Sequence, residues 1–132
     1  MTNRHLATKV VMMPRDTNPY GTIFGGVILS YIDQAGAIGA LFEIRSQKWP
    51  DQPLVTVAMN AVEFHEPVFV GDVVSFWTTV RNIGTTSITM HVSVEAERAG
   101  NVVQLTEAEV TYVAVDLSRS ARQAVPIRGE TA

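Results

Sequence analysis

The sequence predicts an α+β fold in which five antiparallel strands wrap around one long helix. Three observations point there. Gly26 to Arg45 runs without a proline and is the only stretch suited to a helix of several turns. Most of the remaining apolar segments alternate apolar and polar residues with period two, the pattern of half-buried strands. The order is strand, helix, then four strands, which suggests that the strands pair as a meander.

Residues 6–13 (LATKVVMM) read as the first strand, stopped by Pro14. Residues 14–22 (PRDTNPYGT) hold two prolines, an Asp, an Asn and a Gly, and read as a loop. Ile23-Phe24-Gly25-Gly26 then leads into the helix. Gly36 and Gly39 lie inside it, and each weakens helix propensity by about 1 kcal/mol relative to Ala. The fold must therefore want small residues there. Residues 46–53 (SQKWPDQP) form a loop, and strands follow over 54–64, 72–83, 86–96 and 102–115. Gly71-Asp72 and Gly100-Asn101 read as turns. The polar residues 118–132 read as an extended or mobile tail, leaving one domain over 1–132 with its core at about 6–117.

Composition narrows the function. The chain has 132 residues, 46% hydrophobic and 17% charged, too apolar for a disordered chain. It has no cysteine, which excludes disulfide scaffolds, thiolate metal sites and cysteine nucleophiles. Ten basic and thirteen acidic residues give a net charge of -3, which argues against a broad nucleic-acid surface. Residues 1–13 lack the pattern of a secretory leader, and polar residues interrupt each apolar run. A cytoplasmic protein without a membrane span is expected.

On a helical wheel, Val27, Ile28, Tyr31, Ile32, Ala35, Ile38 and Phe42 gather on one side, expected to face the sheet. Gly26, Ser30, Asp33, Gly36, Ala37 and Ala40 lie opposite, on a side open to a ligand or a second backbone. Asp33 is the only charged residue between Asp16 and Glu43, and it stands too far into the helix to cap it. It is either a reactive carboxylate or an acid exposed at a gap in the packing. Gly25-Gly26 would let the first helical amides approach a ligand, with the positive end of the helix dipole suited to an oxyanion. It would equally serve an ordinary tight turn.

Residues 16–40, DTNPYGTIFGGVILSYIDQAGAIGA, resemble the signature of hotdog-fold acyl-CoA thioesterases, specifically the bacterial short- to medium-chain acyl-CoA hydrolase group. VTVAMNAVEFHEPVFVGDVV at 55–74, GTTSI at 84–88 and TYVAVD at 111–116 extend the likeness over roughly Ala7 to Pro126. The resemblance implies an acyl-CoA substrate and a homodimer with sites at its interface, often assembled further into a hexamer as a trimer of dimers. It implies catalysis by Asp33, with Asn18 supplied by the partner protomer and the amides of Gly25 and Gly26 as oxyanion hole. Family members often carry a basic residue near the CoA phosphates at a position that is Thr85 here.

Thioester hydrolysis needs a polarised carbonyl and an activated water or nucleophile. The Gly26 amide would hold the developing oxyanion, and such a donor is worth about 3–4 kcal/mol in the transition state. Asp33 would act as general base or attack directly; the base is the simpler route. The phosphates of CoA need a local cation, with Arg81, Arg98, Arg119, Arg122 and Arg128 as candidates. Arg122 is preferred because it follows the last strand. With Phe24 and Gly25 it completes the expected substrate contacts, and Ile23, Met59, Phe64 and Trp77 suggest an apolar tunnel.

His5, His65 and His91 are widely separated. Glu63, His65 and Glu66 form the one metal-like cluster, but two ligands on a strand face do not close a zinc site, and no metal or cofactor is expected. No GxSxG motif supports a serine hydrolase. A hotdog hydratase would need a histidine near the helix, where there is none. A non-catalytic acyl-CoA-binding module of the same fold is the other alternative.

Overall fold

The computed structural model describes residues 3–118 and 123–129. The chain forms β1 (His5–Val11), a single turn of 3-10 helix at Pro14–Asp16, α1 (Gly25–Ser46), β2 (Leu54–Phe64), β3 (Val73–Ile83), β4 (Ser87–Arg98), β5 (Asn101–Asp116) and a short β6 (Gln123–Ala124). The helix and the four strands after it fall where the sequence places them, within one or two residues. The β4–β5 turn is centred on Ala99-Gly100, both left-handed with φ of 51° and 80°, while Asn101 already pairs with Arg98. Such a two-residue turn follows the natural twist of a hairpin.

The sheet order is β1-β3-β4-β5-β2, all pairs antiparallel, with β6 added on β5. Two expectations change. Among the described residues there are six strands rather than five, and only β3, β4 and β5 form a meander. The helix carries the chain across the face of the sheet, so β1 and β2 end on opposite edges. The expected tail in part returns to the sheet: Val125 N–H donates to Ala114 O at 2.9 Å, Ile127 N–H donates to Thr85 O at 2.9 Å, and the Ile127 side chain is fully buried.

One face of the sheet packs on α1. Val74, Phe76 and Thr78 of β3, Ile88, Met90, Val92 and Val94 of β4, and Ala108, Val110, Tyr112 and Ala114 of β5 are buried in alternation with more exposed neighbours. Opposite them the helix buries Ile28, Ile32, Ala35, Gly36, Gly39, Ala40 and Ile44. Burying each isoleucine contributes roughly 1.5–3 kcal/mol. The wheel is thus partly reversed: Ile38 and Phe42 are 42% and 52% exposed, while Gly36, Gly39 and Ala40 face the sheet. The reason is steric. A Cβ on Gly36 would overlap the Tyr112 hydroxyl, and one on Gly39 would overlap Thr78.

A further correction concerns membranes. Gly25–Ser46, at 22 residues, is long and apolar enough by length and composition to cross one. In this fold the same helix is the core helix, its inner face occupied by the sheet.

Candidate active site at the helix and its leading loop

The loop before α1 is built on Asn18. Its side-chain oxygen accepts from the amides of Tyr20 (2.9 Å) and Thr22 (3.2 Å), and its Nδ2 donates to Thr22 Oγ1 at 2.8 Å. Ile23 N–H donates to Val68 O and Phe24 N–H to Asp16 O, which fixes where the helix begins. Phe24 stands at the N-cap in extended conformation and offers no capping side chain. The first amides of any helix lack intrahelical partners. Among the described residues, the amides of Gly25 and Gly26 donate to no other backbone group.

Two aromatic rings flank these amides. The Phe64 ring lies 3.6 Å from where a Cβ of Gly25 would stand, and the Phe24 ring leaves no room for one on Gly26. Both rings are more than half exposed. Beside them a cleft of about 350 Å³ is lined by Ile23, Gly25, Ile28, Phe64 and Val68 together with His65 and Glu66. The expectation that no histidine lies near the helix is thereby corrected: His65 reaches the cleft at its start, and His5 stacks on Phe42 farther along. Glycine at both positions keeps the N–H groups accessible within a rim that is apolar except for Thr22, His65 and Glu66.

Asp33 is half-buried. Its Oδ1 accepts a hydrogen bond from Thr56 Oγ1 at 2.7 Å, and its backbone carbonyl accepts one from the Tyr112 hydroxyl at 2.6 Å. Burial, with the Asp33 carboxylate alongside, pushes the Tyr112 hydroxyl well above its ordinary value, so it remains a donor. Thr56 and Tyr112 are the two site residues that the sequence reading missed. The available signal was Gly36, three residues after Asp33, which opens the helix to a side chain from the sheet.

The chain alone does not assemble all the expected groups. Asp33 follows Gly26 by seven residues, about 10 Å along the helix axis. The side-chain hydrogen bonds of Asn18 all go to its own loop. Trp77 lies on the face of the sheet away from α1, with the Arg4 guanidinium 4.1 Å from its ring centroid, so it does not join Ile23, Phe24 and Phe64 at the cleft. Met59 packs at the margin of the core.

The arginines are also sorted. Arg81 is paired with Glu109 at 2.9 Å, and Arg98 with Asp72 at 2.5 Å and with Pro67 O at 2.8 Å. Arg128 stacks over Trp49 and lines a cleft of about 410 Å³ with Gly84, Thr85 and Pro126. Arg119 and Arg122 lie outside the described residues. The metal-like cluster differs from the expected one: Glu107, not Glu66, joins Glu63 and His65.

Residues 20–103 match the Thioesterase superfamily. The acyl-CoA thioester hydrolase YciA of Escherichia coli is 39% identical over 116 residues, covering 84% of this chain and 83% of that protein. A hexameric hotdog fold thioesterase of Campylobacter jejuni superimposes with a TM-score of 0.77 at 42% identity, over 91% of this chain and 89% of the other. A hexameric thioesterase of Yersinia pestis gives a TM-score of 0.77 at 34% identity, over 96% and 98% of the two chains. Sequence likeness, fold and coverage agree, and the chain belongs to the thioesterase superfamily, with the hotdog fold.

Proposed function

We propose that the protein hydrolyses acyl-CoA to a free acid and coenzyme A, at a site completed by a second copy of the chain. The observation that carries this reading is the helix itself. It presents unpartnered amides at its start and a carboxylate gripped by Thr56 at its middle, separated by about 10 Å. Two such helices packed antiparallel would bring Asp33 of one protomer to the Gly26 amide of the other. Kinship with an acyl-CoA thioester hydrolase and with two hexameric thioesterases supports both the substrate and the assembly, a dimer at least and a hexamer by likeness.

In the reaction, water attacks the thioester carbonyl while Asp33 takes its proton. The carbonyl oxygen gains charge and is held by the amides at Gly25 and Gly26. The C–S bond then breaks, and the coenzyme A thiolate leaves and is protonated. Direct attack by Asp33 is the second route, giving a mixed anhydride that water opens. Thr56 fixes the carboxylate rotamer in either case. Phe24 and Phe64 shield the acyl group at the cleft beside Gly25. Asn18 acts by shaping the loop that sets the helix start. Arg128 is the described arginine best placed for a CoA phosphate, since it lines the cleft that holds Thr85; Arg122 remains a candidate for the same role.

Free-thiol release from a panel of acyl-CoAs tests the reading. Asp33→Ala should lower kcat by about 10²–10⁴-fold with the assembly intact, the range of a general base. Turnover at the wild-type rate in that variant would refute the assignment. Binding without turnover in the wild type would favour the non-catalytic module.

A further inference from the structure

We propose that Glu63, His65 and Glu107 form a divalent transition-metal site at the end of β2, where Glu107 projects from the face of the sheet away from α1, with Zn²⁺ as the fitting ion. The His65 Nε2 lies 2.8 Å from Glu107 Oε2 and 3.9 Å from Glu63 Oε2, and the three ligand atoms lie within 4.8 Å of one another. Zinc bonds of about 2.0–2.2 Å to nitrogen and oxygen put tetrahedral ligands about 3.4 Å apart. The observed separations bracket that value, so small side-chain rotations would seat an ion.

Two further observations favour a cation here. Glu63 and Glu107 are direct cross-strand partners between β2 and β5. Like charges in that position destabilise a sheet unless something positive lies between them. Among the described residues, the ion-pair partners of both carboxylates are histidines only, never Lys or Arg. Moreover, the other oxygen of Glu107 is engaged by His91 Nε2 at 3.0 Å. An outer hydrogen bond of this kind orients a ligating carboxylate. With neutral His65, the two carboxylates balance a divalent charge, and the open side of the site faces solvent, where water completes the shell. The ion would tie the end of edge strand β2 to β5. Phe64, between two of the ligands, points to the opposite face and rests against Gly25, so the ion would steady that wall of the cleft.

The inference does not depend on the thioesterase reading, and its test needs no turnover. Tag-free, chelator-stripped protein is titrated with Zn²⁺ by calorimetry and with Co²⁺ by visible absorption. One ion per chain is expected, with a tetrahedral Co²⁺ band and a raised Tm on adding Zn²⁺. His65→Ala and Glu107→Gln should each weaken Zn²⁺ binding at least tenfold and abolish the Tm shift. Glu66→Gln, outside the triad, should bind as wild type. Absence of saturable binding below millimolar Zn²⁺ would overturn the site. So would wild-type affinity in His65→Ala, or loss of affinity in Glu66→Gln.

Discussion

Thr56 and Tyr112 are cross-strand partners on β2 and β5, and both hold Asp33. Thr56 donates to the carboxylate, and Tyr112 donates to the backbone carbonyl of the same residue. One rung of the sheet therefore sets both the side chain and the main chain of the proposed base. Gly36 makes this possible, because the Tyr112 hydroxyl occupies the space a Cβ would take.

Gly36→Ala should destabilise the protein. Overpacking costs about 1–3 kcal/mol, which outweighs the ~1 kcal/mol gained in helix propensity. Tyr112→Phe should cost about 1 kcal/mol through the lost hydrogen bond. The double variant should lose less than the sum of the two, since the hydroxyl is the group the new methyl meets. Urea denaturation of the four proteins measures the coupling directly.

Thr56→Val keeps the shape but removes the donor to Asp33. A hydrogen bond to a charged group is worth about 1.5–3 kcal/mol, so kcat should fall roughly 10–100-fold with KM little changed. Thr56→Ser should recover most of the rate. A matched rise in KM with unchanged kcat would assign Thr56 to substrate binding instead.

Acid should weaken the turn between Phe69 and Asp72. Burial alone would raise the Asp72 carboxyl, but the Arg98 guanidinium and the Phe69 amide outweigh it and hold it below the ordinary 3.8. A depressed carboxyl contributes stability above its unfolded value and loses it as pH falls through the folded one. Wild type should therefore exceed Asp72→Asn in Tm near neutrality, and the gap should close below about pH 4. Tyr112 has the opposite sign. Its raised hydroxyl favours the fold fully below the ordinary value of 10.0, and that contribution is lost as pH climbs beyond it.

The helix and the period-two strands were legible in the sequence because burial on one face writes itself into alternation. Asp33 and the glycine pair stood out because a lone charge and two flexible residues are costly in a helix without a use. The strand order was not legible. Nothing in the local pattern of Leu54–Phe64 says that it joins the far edge rather than pairing with β1. Ile38 and Phe42 are not legible as exposed, because hydrophobicity alone does not mark the buried face of this helix. Here close approach of Tyr112 and Thr78 requires small residues inward and leaves bulky ones outside. Thr56 escaped notice because its partner lies 23 residues away in sequence, and Glu107 joined His65 only through the β2–β5 register.

Subunit complementation tests the two-chain site most directly. Asp33→Ala removes the carboxylate, and Gly26→Pro removes one amide in the first turn, where no intrahelical bond is lost, while its ring also displaces Phe24. Each variant alone should be inactive in thiol release. Mixed dimers made by co-expression should regain activity, because one of their two sites combines an intact Asp33 with an intact Gly26 from the other chain. Random pairing then predicts recovery of about a quarter of the wild-type rate. Mixed dimers as inactive as either parent would place both groups in the same chain and contradict the account.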